Sequence, residues 1–124
     1  MTNIGRKSWA IPEGYIPAQS HGPAPEMISH ECVCILNTSD KPANVKLTVY
    51  YSDRPPVIYR ISVPAERTRH VRFNNLTDPE KIPLATEFSS VIESDVPVVC
   101  QHTRLDSRQA DNALLSTIAF PGDD

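Results

Sequence analysis

The residues of this chain that could do chemistry lie where apolar strands turn polar. The longest example is the apolar run 96–100, after which the sequence becomes polar at Gln101, His102, Thr103, Arg104 and Asp106. A strand covered on both faces has a nearly continuous apolar sequence, so a buried strand here delivers polar side chains to one place. A polar block between two apolar core strands is either a solvated loop or a binding site, and its composition favours neither.

Two other predicted strands carry polar side chains of the same kinds. His30 and Glu31 lie in one of them, and Arg69 and His70 lie in the other. Arginine beside His, Gln and carboxylate groups is the set that binds carboxylates, phosphates or sugar hydroxyls. If a sandwich aligns these strands, their polar ends meet at one rim. We expect this rim to bind a small polar or anionic ligand without converting it chemically. The predicted ligand-binding residues are His30, Glu31, Arg69, His70, Gln101, His102, Arg104 and Asp106.

A metal-dependent enzyme is one alternative. His30, His70 and His102 lie on three different predicted strands and could hold a metal ion, with Glu31 as the base. The chain has no Gly-rich phosphate loop, HExxH motif, CxxC motif or nucleophile elbow. We therefore expect a protein that is not an enzyme and that holds no cofactor and no metal.

The three cysteines are expected to be free thiols. Their number is odd, and two of them, Cys32 and Cys34, lie on the same side of one predicted strand, which does not resemble a disulfide framework. Side chains at alternate positions of a strand are about 7 Å apart. On that spacing His30, Cys32 and Cys34 do not easily converge on one ion through bonds of about 2 Å.

A DNA-binding transcriptional regulator is the second alternative. Arg67, Arg69 and Arg72 could form a basic patch on one strand. However, the formal net charge is −3, and the sequence pI is near 5.8. An acidic chain does not bind nucleic acid by bulk electrostatics, so DNA is a doubtful partner.

The elements that must position these residues are short strands. With 124 residues the chain fits one domain, 1–124, and twelve prolines against four glycines disfavour helices. Strands are predicted at 6–11, 28–36, 44–52, 57–63, 67–73, 88–92, 96–104 and 113–120. Short strands with turns about every ten residues predict an all-β fold, a single antiparallel β-sandwich of jelly-roll type.

Three further expectations concern the proline-rich loop, the mobile segments and the location of the protein. The proline-rich loop 11–26 is expected to fold against the domain through Tyr15 and Ile16. Part of 18–26 and the tail 121–124 are expected to be mobile, because neither has an apolar period to anchor it. The sequence has neither a signal peptide nor an apolar run of membrane-spanning length, which predicts a soluble cytoplasmic protein.

Almost the whole chain resembles the sensory rhodopsin transducer family. The matching segments are GRKSWAIPEGYIP at 5–17, ISHECVCILN at 28–37, VPAERTRHVRFN at 63–74 and SVIESDVPVVCQHTRLDSRQADNALLSTIAF at 90–120. The resemblance implies a small cytoplasmic β-sandwich, assembled as a homotetramer, that receives a signal from the cytoplasmic face of a sensory rhodopsin. It also implies a binding module for sugar-like or other small polar ligands, and it leaves a direct DNA-binding role as a family alternative.

A homotetramer also agrees with the strand pattern. The strands predicted at 28–36 and 96–104 are apolar on both faces for part of their length. One small domain has difficulty covering both faces alone. We therefore expect other copies of the chain to cover part of this surface.

Overall fold

The computed structural model describes residues 4–123. Within them the chain forms eight β-strands and one short 3-10 turn, and it contains no α-helix. The strands are β1 (Arg6–Ile11), β2 (His30–Asn37), β3 (Ala43–Tyr51), β4 (Val57–Val63), β5 (Arg67–Arg72), β6 (Phe88–Asp106), β7 (Ala113–Ile118) and β8 (Phe120–Pro121), and the 3-10 turn is Phe73–Asn75. No helix in this part of the chain is long and apolar enough to cross a bilayer.

The strands form an antiparallel sandwich in which β6 belongs to both layers. One layer has the order β4-β3-β6-β1-β8, and in the other β6 pairs with β2 and β7, while β5 pairs with β2. The first part of β6 pairs with β3 over 88–94, and its last part pairs with β2 over 99–105. The predicted all-β sandwich is confirmed, and β6 is its central strand.

The prediction of two separate strands at 88–92 and 96–104 is wrong, because β6 continues through Ser94 and Asp95 between them. Ser94 pairs with Val45 of β3. The Asp95 carboxylate accepts hydrogen bonds from the backbone N–H and the side-chain amide of Asn44, each over 2.8 Å. These contacts keep the chain extended where the sequence pattern indicated a turn.

The last apolar run is a strand, as predicted, but it is not a core strand. Every residue of β7 is exposed, and Leu114 and Ile118 are 71% and 60% exposed. The physical reason is position, since β7 pairs with β6 alone and forms an edge of its layer. Phe120 of β8 is also 71% exposed, so this end of the molecule presents an apolar surface.

The proline-rich loop is held against the domain. Ile16 is fully buried, and its carbonyl accepts a hydrogen bond from Ala85 N–H over 2.8 Å. Further along, the Ser29 hydroxyl donates to the Gln19 carbonyl over 2.9 Å. These contacts agree with the expectation that the loop folds onto the sandwich.

The mobility of 18–26 and 121–124 stays a prediction. Near the C-terminus, Pro121 pairs with Trp9, and Gly122 N–H donates to the Ser8 carbonyl over 2.8 Å. Asp124, the last residue of the expected tail, lies outside the described residues.

The buried phenol of Tyr59 makes the fold sensitive to alkaline pH. Burial raises the pKa of Tyr59 to about 12, and its hydroxyl donates to the Glu80 carbonyl over 2.6 Å. In the unfolded chain a tyrosine ionises near its ordinary pKa of about 10. The stability from the neutral phenol is therefore intact below pH 10 and is lost as the pH rises from about 10 to 12.

We predict that Tyr59→Phe lowers the free energy of unfolding by about 1 kcal/mol at pH 7, through the lost hydrogen bond. Between pH 9 and pH 11 the variant should lose less stability than the natural protein, because it lacks this ionisation. Urea denaturation across that range measures both effects, with the exposed Tyr50→Phe as the matched control. If the natural protein and Tyr59→Phe lost the same free energy of unfolding between pH 9 and pH 11, the loss could not be assigned to the ionisation of Tyr59.

Candidate functional site

The carboxylate of Glu31 is fully buried in the sandwich. Glu31 is the second residue of β2, and the alternation of this strand turns it inward together with Val33 and Ile35. A charge moved from water into a protein interior costs several kcal/mol unless partners compensate it. Glu31 therefore depends on contacts from other elements.

Both oxygens of the Glu31 carboxylate have partners. The backbone N–H of Tyr15 donates to Oε2 over 2.8 Å, and Arg104 Nε lies 3.4 Å from the same oxygen. His102 Nε2 lies 2.5 Å from Oε1, and the two atoms share a hydrogen bond. Tyr15 belongs to the loop between β1 and β2, so the carboxylate joins this loop to β6.

The register of β2 against β6 explains why these side chains meet. Glu31 is paired with Arg104, and Val33 is paired with His102. Directly paired residues of antiparallel strands point to the same face, so His102 and Arg104 both face the side of the sheet that holds Glu31. His102 is only 3% exposed.

Arg104 connects the buried carboxylate to the surface. Its Nη1 donates to Glu13 Oε2 over 3.0 Å, and its Cζ lies 5.7 Å from the centre of the Tyr15 ring. Arg108 Cζ lies at the same distance, 5.7 Å, from that ring, and Arg108 Nη2 donates to Asp106 over 2.6 Å. Hydrogen bonds from Arg108 lower the pKa of the Asp106 carboxyl below its ordinary value. In the outer part of the site two arginines thus stack on one tyrosine, and the carboxylates of Glu13 and Asp106 compensate the charges of the arginines.

A cleft of about 430 Å³ opens beside His102. Its walls come from the end of β1 and the residues after it, 10–13, from Leu115 and Thr117 of β7, and from the segment 118–121 that leads into β8. The walls are mainly apolar, with Glu13, His102 and Thr117 among the lining residues. An apolar cleft with a few polar groups is the usual form of a small-molecule site.

The structure brings together three of the eight predicted site residues, namely Glu31, His102 and Arg104. Asp106 lies beside this group, where it is bonded to Arg108. We call the set of Glu31, His102, Arg104, Glu13 and Tyr15 the Glu31 network.

The expectation that His30, His70 and His102 share one pocket is wrong. His30 lies on the opposite face of β2 from Glu31, where its Nδ1 is 2.8 Å from Arg72 Nη2. His70 is exposed on β5, paired with Cys34 on that same outer face. Only His102 faces the buried carboxylate.

Strand geometry explains this separation. The predicted set contains three pairs of sequence neighbours, at 30–31, 69–70 and 101–102, and neighbours in a strand point to opposite faces. One pocket can therefore take only one member of each pair. Gln101 accordingly points outward and is hydrogen-bonded to Ser116. Arg69 is on the same face of the sheet as Ile35, with which it is paired, but it is exposed and donates to the Ser62 carbonyl over 2.9 Å.

Sequence reasoning missed the roles of Glu13 and Asn74 in this site. Glu13 pairs with Arg104, and Asn74 Oδ1 accepts a hydrogen bond from Glu31 N–H over 3.3 Å. Both lie outside the strands, where no periodic pattern reports which way a side chain points. The available signal for Asn74 was the burial of Glu31, since a buried backbone N–H requires an acceptor from a neighbouring element.

The two alternative functions find little geometric support. Within residues 4–123, no three His, Cys, Asp or Glu side chains lie close enough together to hold a metal ion. The basic residues of β5 do not form one patch, because Arg67 and Arg69 occupy one face of the strand and Arg72 the other. Arg72 Nη2 is also bonded to the Pro25 carbonyl over 2.8 Å.

Comparisons with known proteins agree with this architecture. The family model described as Anabaena sensory rhodopsin transducer matches residues 4–121. A solved structure named Anabaena sensory rhodopsin transducer is 63% identical, with a TM-score of 0.77, and the match covers 88% of this chain and 96% of that one. The crystal structure of Thermotoga maritima 1070 is 34% identical, with a TM-score of 0.86, over 95% of this chain and 96% of that one. A search of curated proteins finds no significant match.

We predict that Glu31→Ala lowers the free energy of unfolding by about 3 to 5 kcal/mol, because it leaves buried polar partners without their acceptor. Glu13→Ala, which removes a carboxylate that is 62% exposed, should cost less than about 1 kcal/mol. Chemical denaturation of both variants at pH 7 tests this difference. Similar values for the two variants would show that the buried carboxylate does not hold the site together.

Proposed function

Because the chain belongs to the Anabaena sensory rhodopsin transducer family, we propose that it is a non-enzymatic signal transducer that receives its signal at the cytoplasmic face of a sensory rhodopsin. The observation that carries this proposal is the 63% identity over 88% of the chain to a protein named as such a transducer. The strand-borne site agrees with it, because the polar groups of the Glu31 network are engaged with one another. In a hydrolase or transferase, by contrast, a nucleophile in the cleft would be hydrogen-bonded to its base, whereas Thr117 Oγ1, which lines the cleft, donates to the Ile118 carbonyl.

Binding to a photoreceptor tests the proposal directly. The protein is titrated onto Anabaena sensory rhodopsin in lipid nanodiscs, in the dark and under illumination, with empty nanodiscs as the control. We expect saturable binding to the rhodopsin discs, with an affinity that differs between the dark and the illuminated receptor. Equal signals on rhodopsin and empty discs would overturn the transducer role.

The protein acts as a homotetramer that uses the β7–β8 apolar surface, formed by Leu114, Leu115, Ile118 and Phe120. These side chains are 49% to 71% exposed and lie along the edge of the sandwich, with Leu114 and Ile118 on one face of β7 and Leu115 on the other. Exposed groups of apolar side chains mark interaction sites, and most soluble oligomers are built from copies of one chain. A second copy of the chain is therefore the occupant that we propose for this surface.

We predict that Ile118→Asp dissociates the oligomer, because the interface would have to bury an unpaired carboxylate. Light scattering should give about 55 kDa for the natural tetramer, as four chains of 13.8 kDa require, and a smaller mass for the variant. Ile58→Asp is the control, since Ile58 of β4 is also exposed, at 40%, but lies away from this surface. A natural protein that is a stable monomer at micromolar concentration would sink the tetramer proposal.

The cleft beside His102 binds a small ligand of the sugar-like class and does not convert it. A sugar ring has an apolar face, which suits the aromatic ring of Phe120 and the aliphatic walls. It also has hydroxyl groups, which suit the polar side chains of Glu13 and Thr117. The site suits a free anion less well, because Arg104 is already paired with the carboxylates of Glu13 and Glu31.

We predict that Arg104→Ala weakens binding of such a ligand about ten- to a hundredfold, because Glu13, which lines the cleft, loses the guanidinium that positions it. A thermal-shift screen of monosaccharides and polyols identifies the probe, and calorimetry with that probe compares the variants. Arg54→Ala is the control, since Arg54 bonds the exposed Asp53 and does not line the cleft. If Arg104→Ala dissociates the oligomer and no sugar shifts the melting temperature of the natural protein, Arg104 serves a subunit interface instead.

A further inference from the structure

Two thiols lie side by side on the outer face of β2. Cys32 Sγ and Cys34 Sγ are 4.0 Å apart, and both residues are half-buried and free of disulfides. The side chains converge although they occupy alternate positions of one strand, so the spacing of about 7 Å expected from strand geometry overestimates the distance between the sulfur atoms. The Glu31 network, which lies on the inner face, does not involve these thiols.

The surroundings of the pair hold no carboxylate on the neighbouring strands. On β5, Arg72 is paired with Cys32 and His70 with Cys34. On β6, Thr103 is paired with Cys32 and Gln101 with Cys34. On β2 itself the same face carries His30, which is bonded to Arg72. A hard divalent cation, which prefers carboxylate oxygens, finds no ligand set here.

We propose that Cys32 and Cys34 bind a soft monovalent metal ion, Cu(I), between their two sulfur atoms. Thiolates are the ligands that select Cu(I). Metal–sulfur bonds of about 2.3 Å place two sulfurs at most about 4.6 Å apart on one ion, so the observed 4.0 Å requires little movement. Structural zinc sites need four protein ligands, and residues 4–123 contain no group of three, so the site discriminates against zinc.

Charge and proton balance are consistent with this chemistry. Binding converts one Cu(I) ion and two thiols into a dithiolate complex of charge −1 and releases two protons to solvent. The guanidinium of Arg72, paired with Cys32 on β5, supplies the compensating positive charge.

An anaerobic titration with Cu(I) in competition with bicinchoninate tests the site on the full chain. We expect one Cu(I) per chain, an ultraviolet sulfur-to-copper charge-transfer band, and an affinity that rises with pH, because binding releases protons. Cys32→Ser and Cys34→Ser should each lose this binding, whereas Cys100→Ser, which alters a buried thiol on the inner face, should keep it. Zinc added in place of copper should not be retained.

A second measurement does not depend on the folding of any variant. Alkylation of the natural protein with N-ethylmaleimide, followed by mass spectrometry of its peptides, should show that Cu(I) slows modification of Cys32 and Cys34 and leaves Cys100 unchanged. Failure of the natural protein to take copper from the chelator would overturn the proposal. So would retention of copper by both single serine variants, or equal protection of all three cysteines. None of these outcomes depends on the proposed transducer role.

Discussion

The site depends on one physical constraint, the need to compensate a carboxylate that has no access to water. Glu31 has 0% exposure, and the groups that contact its carboxylate come from separate parts of the chain: Tyr15 from a loop, and His102 and Arg104 from β6. A buried ion pair adds little net stability against a well-packed apolar core, but removing one partner is costly. The carboxylate therefore selects a single arrangement of loop and sheet.

Strand β6 makes this arrangement possible. It runs for 19 residues without a break and is the central strand of both layers, so the position of His102 and Arg104 is fixed by pairings along its whole length. The cleft lies where the end of β1 meets β7 and β8, and it shares Leu115, Ile118 and Phe120 with the apolar surface proposed for self-association. A bound ligand would thus lie at the proposed subunit contact, so ligand occupancy and subunit assembly would influence each other.

The fold was largely predictable from sequence, and the site only in part. Alternating apolar residues and turn clusters located β1 and β4 to the residue, because strand periodicity is a local property. The continuity of β6 was not predictable, since Asn44, a distant residue, holds Asp95 in an extended conformation. Glu31, His102 and Arg104 were predicted as site residues from the sequence. Which face of the sheet each side chain points to, and which loop residues contact it, depend on strand register and tertiary packing, which local sequence patterns do not report.

The most direct test of the central claim is native-state hydrogen exchange at the backbone amide of Tyr15, which donates to Glu31. The comparison is between the natural protein and Glu31→Leu, with the amide of Ile35 in the middle of β2 as the internal reference. If the carboxylate holds the loop on the sheet, the Tyr15 amide should exchange about tenfold faster or more in the variant, while Ile35 remains protected. A Tyr15 amide that keeps its natural protection in the variant would contradict the account.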